Sequence, residues 1–184
     1  GPYNGSAIWS TDHAYIDDSL VESVMSYFWP SEAGTGSDAT VMGPQMADIV
    51  AIGAIYGLST TTRTGDTTYG FHSTAGQIYD LGDAIYATTG APAFTIFDNG
   101  GTDTLDVSGY AQGQRIDLNA ETWSDVGGLV NNIAIARGTV IENAIGGSGV
   151  DTITGNGVAN NIFGGAGGDT LNGGDGDDYL FGEA

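Results

Sequence analysis

Gly146-Gly-Ser-Gly-Val-Asp-Thr-Ile-Thr154, Gly155-Asn-Gly-Val-Ala-Asn-Asn-Ile-Phe163, Gly164-Gly-Ala-Gly-Gly-Asp-Thr-Leu-Asn172 and Gly173-Gly-Asp-Gly-Asp-Asp-Tyr-Leu-Phe181 are four successive copies of one nine-residue pattern. The sixth position holds Asp151, Asn160, Asp169 and Asp178; the eighth holds Ile153, Ile162, Leu171 and Leu180. A flexible, acidic, glycine-rich linker would share this composition. A linker has no reason to place Ile or Leu at each ninth residue. The period therefore specifies a small structural unit that is stable only when stacked on its neighbours.

A short period of glycines, one acid and one apolar residue is the pattern of a calcium-binding parallel β-roll. The first six residues form a turn whose glycines reach conformations closed to other residues and so turn carbonyl oxygens inward. The last three form a very short strand whose middle side chain points into the roll. Two nonapeptides make one coil, so loops eighteen residues apart stack on one edge. Calcium takes about six to eight hard oxygens from carboxylates and carbonyls. One loop supplies about half of these, so each ion is expected between two stacked loops.

That register gives candidate sites. One joins the loops ending at Asp151 and Asp169, with carbonyls of Gly147, Gly149, Gly164 and Ala166. A second joins those ending at Asn160 and Asp178, with carbonyls of Asn156, Val158, Gly173 and Asp175. An earlier loop in the same frame, 139–143, offers Thr139 and Glu142, the latter expected to share an ion with Gly155, Gly157 and Asn160. The second repeat is degenerate, with Asn156, Val158 and Asn160 where the others carry glycines and an acid, so its sites are expected to be weaker.

The composition fits. The 184 residues carry 23 Asp and Glu against three Arg and no Lys, a net charge of -20. Nucleic acid and anionic membrane are poor partners for such a surface. With 40% hydrophobic residues the chain has enough apolar matter for a core, so the acidity is better explained by carboxylates awaiting divalent cations than by disorder. There is no cysteine, so no disulfide staples the fold. The chain shows no signal peptide and no membrane-spanning run, so the address of an exported protein is expected outside it.

Ahead of the repeats, residues 1–43 are irregular and scattered with aromatics. Residues 44–56 form the one clear helix: Pro44 suits its first turn and Gly57 its stop. Met46, Ile49, Ile52, Ile55 and Tyr56 share a face expected to be buried. From Leu58 the β-branched and aromatic content favours strands. Asp98, Gly100, Gly101 and Asp103 resemble another calcium loop, completed by Arg63, Gly65 and Asp66; the alternative is a plain tight turn. Ile116, Leu118, Ile133, Ile135, Val140 and Ile145 are the expected core of the first coils.

At Val24-Met25-Ser26-Tyr27, followed by Phe28-Trp29, the sequence resembles the Met-turn of the serralysins, secreted bacterial zinc endopeptidases of the metzincin group. The likeness continues in order through the 44–57 helix, Thr62-Arg-Thr-Gly-Asp-Thr67, Tyr69-Gly-Phe71, Asp98-Asn-Gly-Gly-Thr-Asp-Thr-Leu105, Ser108-Gly-Tyr110, Ser124-Asp-Val-Gly-Gly128 and Ile141-Glu-Asn-Ala-Ile-Gly-Gly147 into the repeats. It implies a mainly β fold, a parallel β-roll at 58–184, preceded at 1–57 by the C-terminal part of a metzincin-like catalytic domain. It also implies secretion by a type I route. Met25 would form the hydrophobic floor under the zinc. Tyr27 would ligate zinc at rest and swing away to stabilise the transition-state oxyanion.

The family's zinc motif His-Glu-x-x-His-x-x-Gly-x-x-His is absent: the two histidines, His13 and His72, are far apart and are read as surface residues. The opening Gly1-Pro2-Tyr3-Asn4 is similar to the stretch that follows the third zinc histidine, although a tag-cleavage scar would leave the same Gly-Pro. Ala184 falls before the family's export signal. The chain therefore reads as the C-terminal portion of a serralysin-like zinc endopeptidase acting on protein substrates. It is expected to bind several calcium ions, to partner the N-terminal catalytic part, and to be inactive alone. The alternative is a non-enzymatic calcium-binding module for folding and export.

Overall fold

The computed structural model describes residues 19–20, 22–26 and 29–183. The repeats fold as their period dictates. β9 (Thr152–Thr154), β10 (Asn161–Phe163), β11 (Thr170–Asn172) and β12 (Tyr179–Phe181) occupy positions seven to nine of the four units. They alternate between two parallel sheets. β10 pairs with β12 and with β8 (Asn143–Ile145), while β9 pairs with β11 and with β5 (Arg115–Asp117). Asn161 lies beside Tyr179 and Thr152 beside Thr170, both eighteen residues on, so two repeats make one coil.

Upstream coils are longer. β2 (Thr68–Gly70) and β4 (Thr104–Asp106) extend the first sheet in the order β12-β10-β8-β4-β2. A further sheet is formed from β1 (Thr40–Val41), β3 (Pro92–Ile96), β7 (Ile133–Ile135) and β6 (Trp123–Ser124), in the order β1-β3-β7-β6, of which only β3 lies between β2 and β4 in the chain. Only the β6–β7 pair is antiparallel among the described strand pairs.

One apolar core runs through these coils, from Tyr69 and Phe94 through Leu105, Ile116, Ile133 and Ala144 to Ile153 and Ile162. Of the expected core residues, Ile116, Leu118, Ile133 and Ile135 are buried, but Val140 is exposed and Ile145 only half-buried. Ile141 and Ala144 are buried instead. Ala144 pairs with Ile162, which pairs with Leu180, so the middle residue of each three-residue strand faces inward and its neighbours face out. Burial then fades along the roll. Ile153 and Ile162 are wholly buried, Leu171 is partly buried, and Leu180 is 43% exposed. Ile162→Ala is accordingly expected to cost about 2–5 kcal/mol and Leu180→Ala less than about 1 kcal/mol, measured by urea unfolding in calcium.

Ahead of the roll lie a short helix, α1 (Pro30–Ala33), and the longer α2 (Met46–Tyr56). α2 starts two residues later than the Pro44 signal suggests, because the Gln45 N–H donates to the Asp48 carboxylate at 2.8 Å and caps the helix there. Gly57 ends it as expected. The expected buried stripe is corrected. Met46 and Ile49 pack against Phe97, Trp123, Ala134 and Ala136, whereas Ile52, Ile55 and Tyr56 are 50%, 71% and 82% exposed. Only the first turns of the helix reach the roll. A helix apolar on most sides carries no periodic signal of which side is covered. A third short helix, α3 (Tyr86–Thr89), lies between β2 and β3. Among the described residues, no helix is long and apolar enough to cross a membrane.

Candidate metal-binding loops

Each short strand is entered through a loop, so pairing the strands stacks the loops. On the edge that feeds the five-stranded sheet, loops 62–67, 98–103, 139–142, 155–160 and 173–178 follow one another. On the other edge, 111–114, 146–151 and 164–169 do the same.

The acid at the sixth position does the same thing in nearly every loop: one carboxylate oxygen accepts the backbone N–H of the corresponding residue one coil back. Asp151 takes Gln114 N–H at 2.7 Å, Asp169 takes Asp151 N–H at 2.9 Å and Asp178 takes Asn160 N–H at 2.9 Å. Upstream, Asp103 takes Thr67 N–H at 2.8 Å and Glu142 takes Asp103 N–H at 2.7 Å. The second oxygen of Asp151 accepts Gly147 N–H in its own loop. The second oxygens of Asp103 and Asp169 are buried with no partner.

The loop pairs expected from the repeat period are brought together. Loop 164–169 lies on 146–151, with Ala166 N–H donating to Gly147 O at 3.1 Å. Loop 173–178 lies on 155–160, with Asp175 N–H donating to Asn156 O at 3.1 Å. The contact demands glycine. At Gly165 and Gly167, with φ +89° and +127°, a side chain would run into the carbonyls of Gly147 and Gly149. These carbonyls, with those of Asn156 and Val158 beneath Gly174 and Gly176, face the neighbouring loop at a separation that leaves no room for a methyl group.

Loop 98–103 lies on 62–67, as the sequence suggested. Thr102 N–H donates to Asp66 at 2.9 Å, and Gly101 sits directly against Gly65. Asp98 accepts Gly100 N–H at 2.9 Å and the Tyr69 hydroxyl at 2.6 Å. Burial and that bond to Asp98 push the Tyr69 hydroxyl pKa upward. Arg63 points its guanidinium to Phe97 O at 3.0 Å and over the Tyr79 ring, leaving its main chain to the loop. Burial, reinforced by Asp98 and Glu142 and opposed by Thr67 N–H, pushes the Asp103 carboxyl up to about 6. A carboxyl in this position is the kind of group a cation would hold ionised.

Thr139 and Glu142 take a different place from that expected. The Thr139 hydroxyl pairs with Asp98 and the Glu142 carboxylate with Asp103, both one coil back; toward Asn160, Glu142 presents its backbone carbonyl. Among the described residues no three His, Asp or Glu side chains converge as a metal cluster. What the loops offer is one or two carboxylates with backbone carbonyls, a donor set suited to hard cations rather than to zinc.

The turn at 23–26 is held by a residue that the repeats gave no reason to single out. Asp48, at the start of α2, accepts Ser23 Oγ at 2.6 Å and Val24 N–H at 3.0 Å, and Ala47 N–H donates to Glu22 O at 2.9 Å. Met25 is 75% exposed. Tyr27 and His13 lie outside the described residues.

His72 is exposed, in the left-handed region at φ 61°, with Nδ1 2.9 Å from the buried Asp106 carboxylate. Its hydrogen bond to Asp106, and then the Asp106 charge, raise its pKa above 6.5. A raised histidine pKa contributes stability that is fully present below 6.5 and lost as pH rises through the folded-state value. The difference in Tm between the chain and its His72→Gln variant is therefore expected to shrink as pH is raised through that window.

The family model for the serralysin C-terminal region of peptidase family M10 matches residues 58–183. The chain belongs to the serralysin C-terminal family. Curated serralysin relatives include metallopeptidase AprA of Pseudomonas marginalis, 46% identical over 171 residues (87% of this chain, 34% of the relative). Serralysin B of Dickeya chrysanthemi is 49% identical over 154 residues (81% and 31%). Serralysin of Photorhabdus luminescens is 47% identical over 159 residues (84% and 32%). The chain thus spans about a third of the length of these serralysins.

Proposed function

We propose that this chain is the C-terminal portion of a secreted serralysin-type zinc endopeptidase, and that its stacked loops bind several calcium ions that hold the roll folded outside the cell. The observation carrying the calcium reading is the pair of buried carboxylate oxygens on Asp103 and Asp169 that no protein group satisfies. The arginines do not relieve them: Arg115 pairs with Asp125, Arg137 with Glu121, and Arg63 with Phe97 O. Asp151 and Asp169 with Gly147, Gly149, Gly164 and Ala166 would hold one ion. Asn160 and Asp178 with Asn156, Val158, Gly173 and Asp175 would hold another. Asp98, Gly100, Gly101 and Asp103 with Arg63, Gly65 and Asp66 would hold a third. Calcium-poor cytoplasm would leave the repeats loose for export, and calcium outside would set them.

Proteolysis belongs to the intact enzyme, in which bound zinc supplies Lewis-acid activation of water and the scissile carbonyl. This chain would contribute Met25 beneath that centre and Tyr27 to the oxyanion, and Asp48 fixes the turn at Ser23 and Val24. The exposed Ile52, Ile55 and Tyr56 of α2 suit an apolar partner surface, which the N-terminal catalytic part would provide.

The calcium reading is tested by counting ions in native mass spectra. Asp169→Ala is expected to bind one calcium ion fewer than the unaltered chain. An unaltered chain that binds none would refute the reading.

A further inference from the structure

The stack contains one gap unlike the others. Between loops 139–142 and 155–160, asparagine amides already take the carbonyls of Ile141, Glu142 and Gly155. Asn160, 1% exposed, donates from Nδ2 to Glu142 O at 2.9 Å and to Asn156 Oδ1 at 3.2 Å. Asn156 donates from Nδ2 to Ile141 O at 2.8 Å and to Leu118 O at 3.1 Å. Asn119 donates to Gly155 O at 2.9 Å. A primary amide has two N–H donors, and both are used on Asn156 and on Asn160. Their acceptors are used as well: Asn160 Oδ1 receives Asn156 N–H at 2.9 Å and Asn156 Oδ1 receives Val158 N–H at 3.2 Å. The one carboxylate that could serve here, Glu142, is turned to Asp103 N–H on the other side. A cation placed in this gap would face the positive ends of N–H dipoles instead of free lone pairs.

Resting on the calcium-binding reading of the other loops, we propose that the Asn156 and Asn160 amides replace an ion in this gap. The coil that ends at Phe163 is then joined to the one before it without metal, and the repeats beyond Phe163 depend on calcium. This placement coincides with the limit of apolar burial, since Ala144, Ile153 and Ile162 are fully buried while Leu171 and Leu180 are not. Asp169, with its unsatisfied buried oxygen, and the little-buried acids of loop 173–178 lie on the far side of the staple, whereas the other unsatisfied oxygen, on Asp103, lies upstream of it. The degenerate second repeat is thus joined to the coil before it by amides and to the repeat after it by an ion.

Hydrogen exchange of the full chain in chelator and in calcium tests this. In chelator, peptides from 152–163 are expected to stay protected while those from 170–181 exchange freely; calcium should protect both. Asn156→Ala removes no proposed ligand, since only the backbone carbonyl of Asn156 faces an ion. It should lower chelator-state protection of 152–163 by roughly ten- to a hundredfold and leave the calcium count unchanged. Asn156→Asp, which keeps the shape but replaces donors by a carboxylate, should add one calcium ion. Loss of protection of 152–163 in unaltered chain on chelation, or an Asn156→Ala chain that keeps its protection, would overturn the proposal. If 170–181 were equally protected in chelator and in calcium, the calcium-binding reading would fall, and the Asn156→Ala comparison in chelator would still decide whether the amides hold the gap between loops 139–142 and 155–160.

Discussion

Chelating calcium is expected to abolish most of the β-sheet circular dichroism that the last two repeats contribute, and adding it back at about millimolar levels to restore the signal cooperatively. Three features drive this. Asp169 lies on loop 146–151 with its Asp151; Asp175, Asp177 and Asp178 crowd one loop on the opposite edge; and the chain's three arginines are engaged elsewhere. Leu171 and Leu180 are the inward residues of those repeats and neither is fully buried. Ordering a residue costs roughly 1–2 kcal/mol of backbone entropy, which two half-covered leucines cannot offset. An ion that binds only the folded loops contributes about 2.7 kcal/mol per site at a hundred times its Kd. Asp169→Ala should raise the calcium midpoint by about tenfold or more, because a carboxylate at the centre of one site is lost. Asn160→Ala should fail differently, weakening the fold at every calcium level, because its amide bridges two coils directly. A signal identical in chelator and in calcium would refute calcium-dependent folding.

The chain alone is expected to hydrolyse no casein. Its sequence lacks the His-Glu-x-x-His-x-x-Gly-x-x-His motif, and its two histidines, His13 and His72, cannot assemble three zinc ligands. His72 is also committed to Asp106. Chelator-sensitive casein hydrolysis by the purified chain would sink this expectation. In a preparation completed with an N-terminal catalytic part, Tyr27→Phe should depress kcat while leaving KM nearly unchanged, since the contact removed is one made in the transition state. An unchanged kcat would remove Tyr27 from the chemistry. Asp48→Asn in the same preparation would show how much of that effect depends on the turn being held.

The nine-residue period was enough to place β9 to β12, their inward residues and the pairing of loops eighteen residues apart. Each repeat poses the same local problem, a glycine turn followed by one apolar residue, so the solution repeats with it. The ordered motifs ahead of the repeats were likewise sufficient to indicate the family. Where the period lapses, the sequence stops being self-reading. β4 and β8 are neighbours although their paired residues are 39 apart, so nothing local indicated that Glu142 would reach back to Asp103. At 140–145 the buried residues are Ile141 and Ala144 instead of the expected Val140 and Ile145, because Ala144 is the middle residue of β8, the one that faces inward, and Ile141 lies in the loop that enters it. The exposed end of α2 was equally hidden, since a helix apolar on most sides does not encode which side is covered. Above all, two asparagines at ligand positions read as poor calcium ligands. Only the stacking of the loops, which brings Leu118, Ile141 and Glu142 carbonyls within reach of their amides, makes them donors from coil to coil.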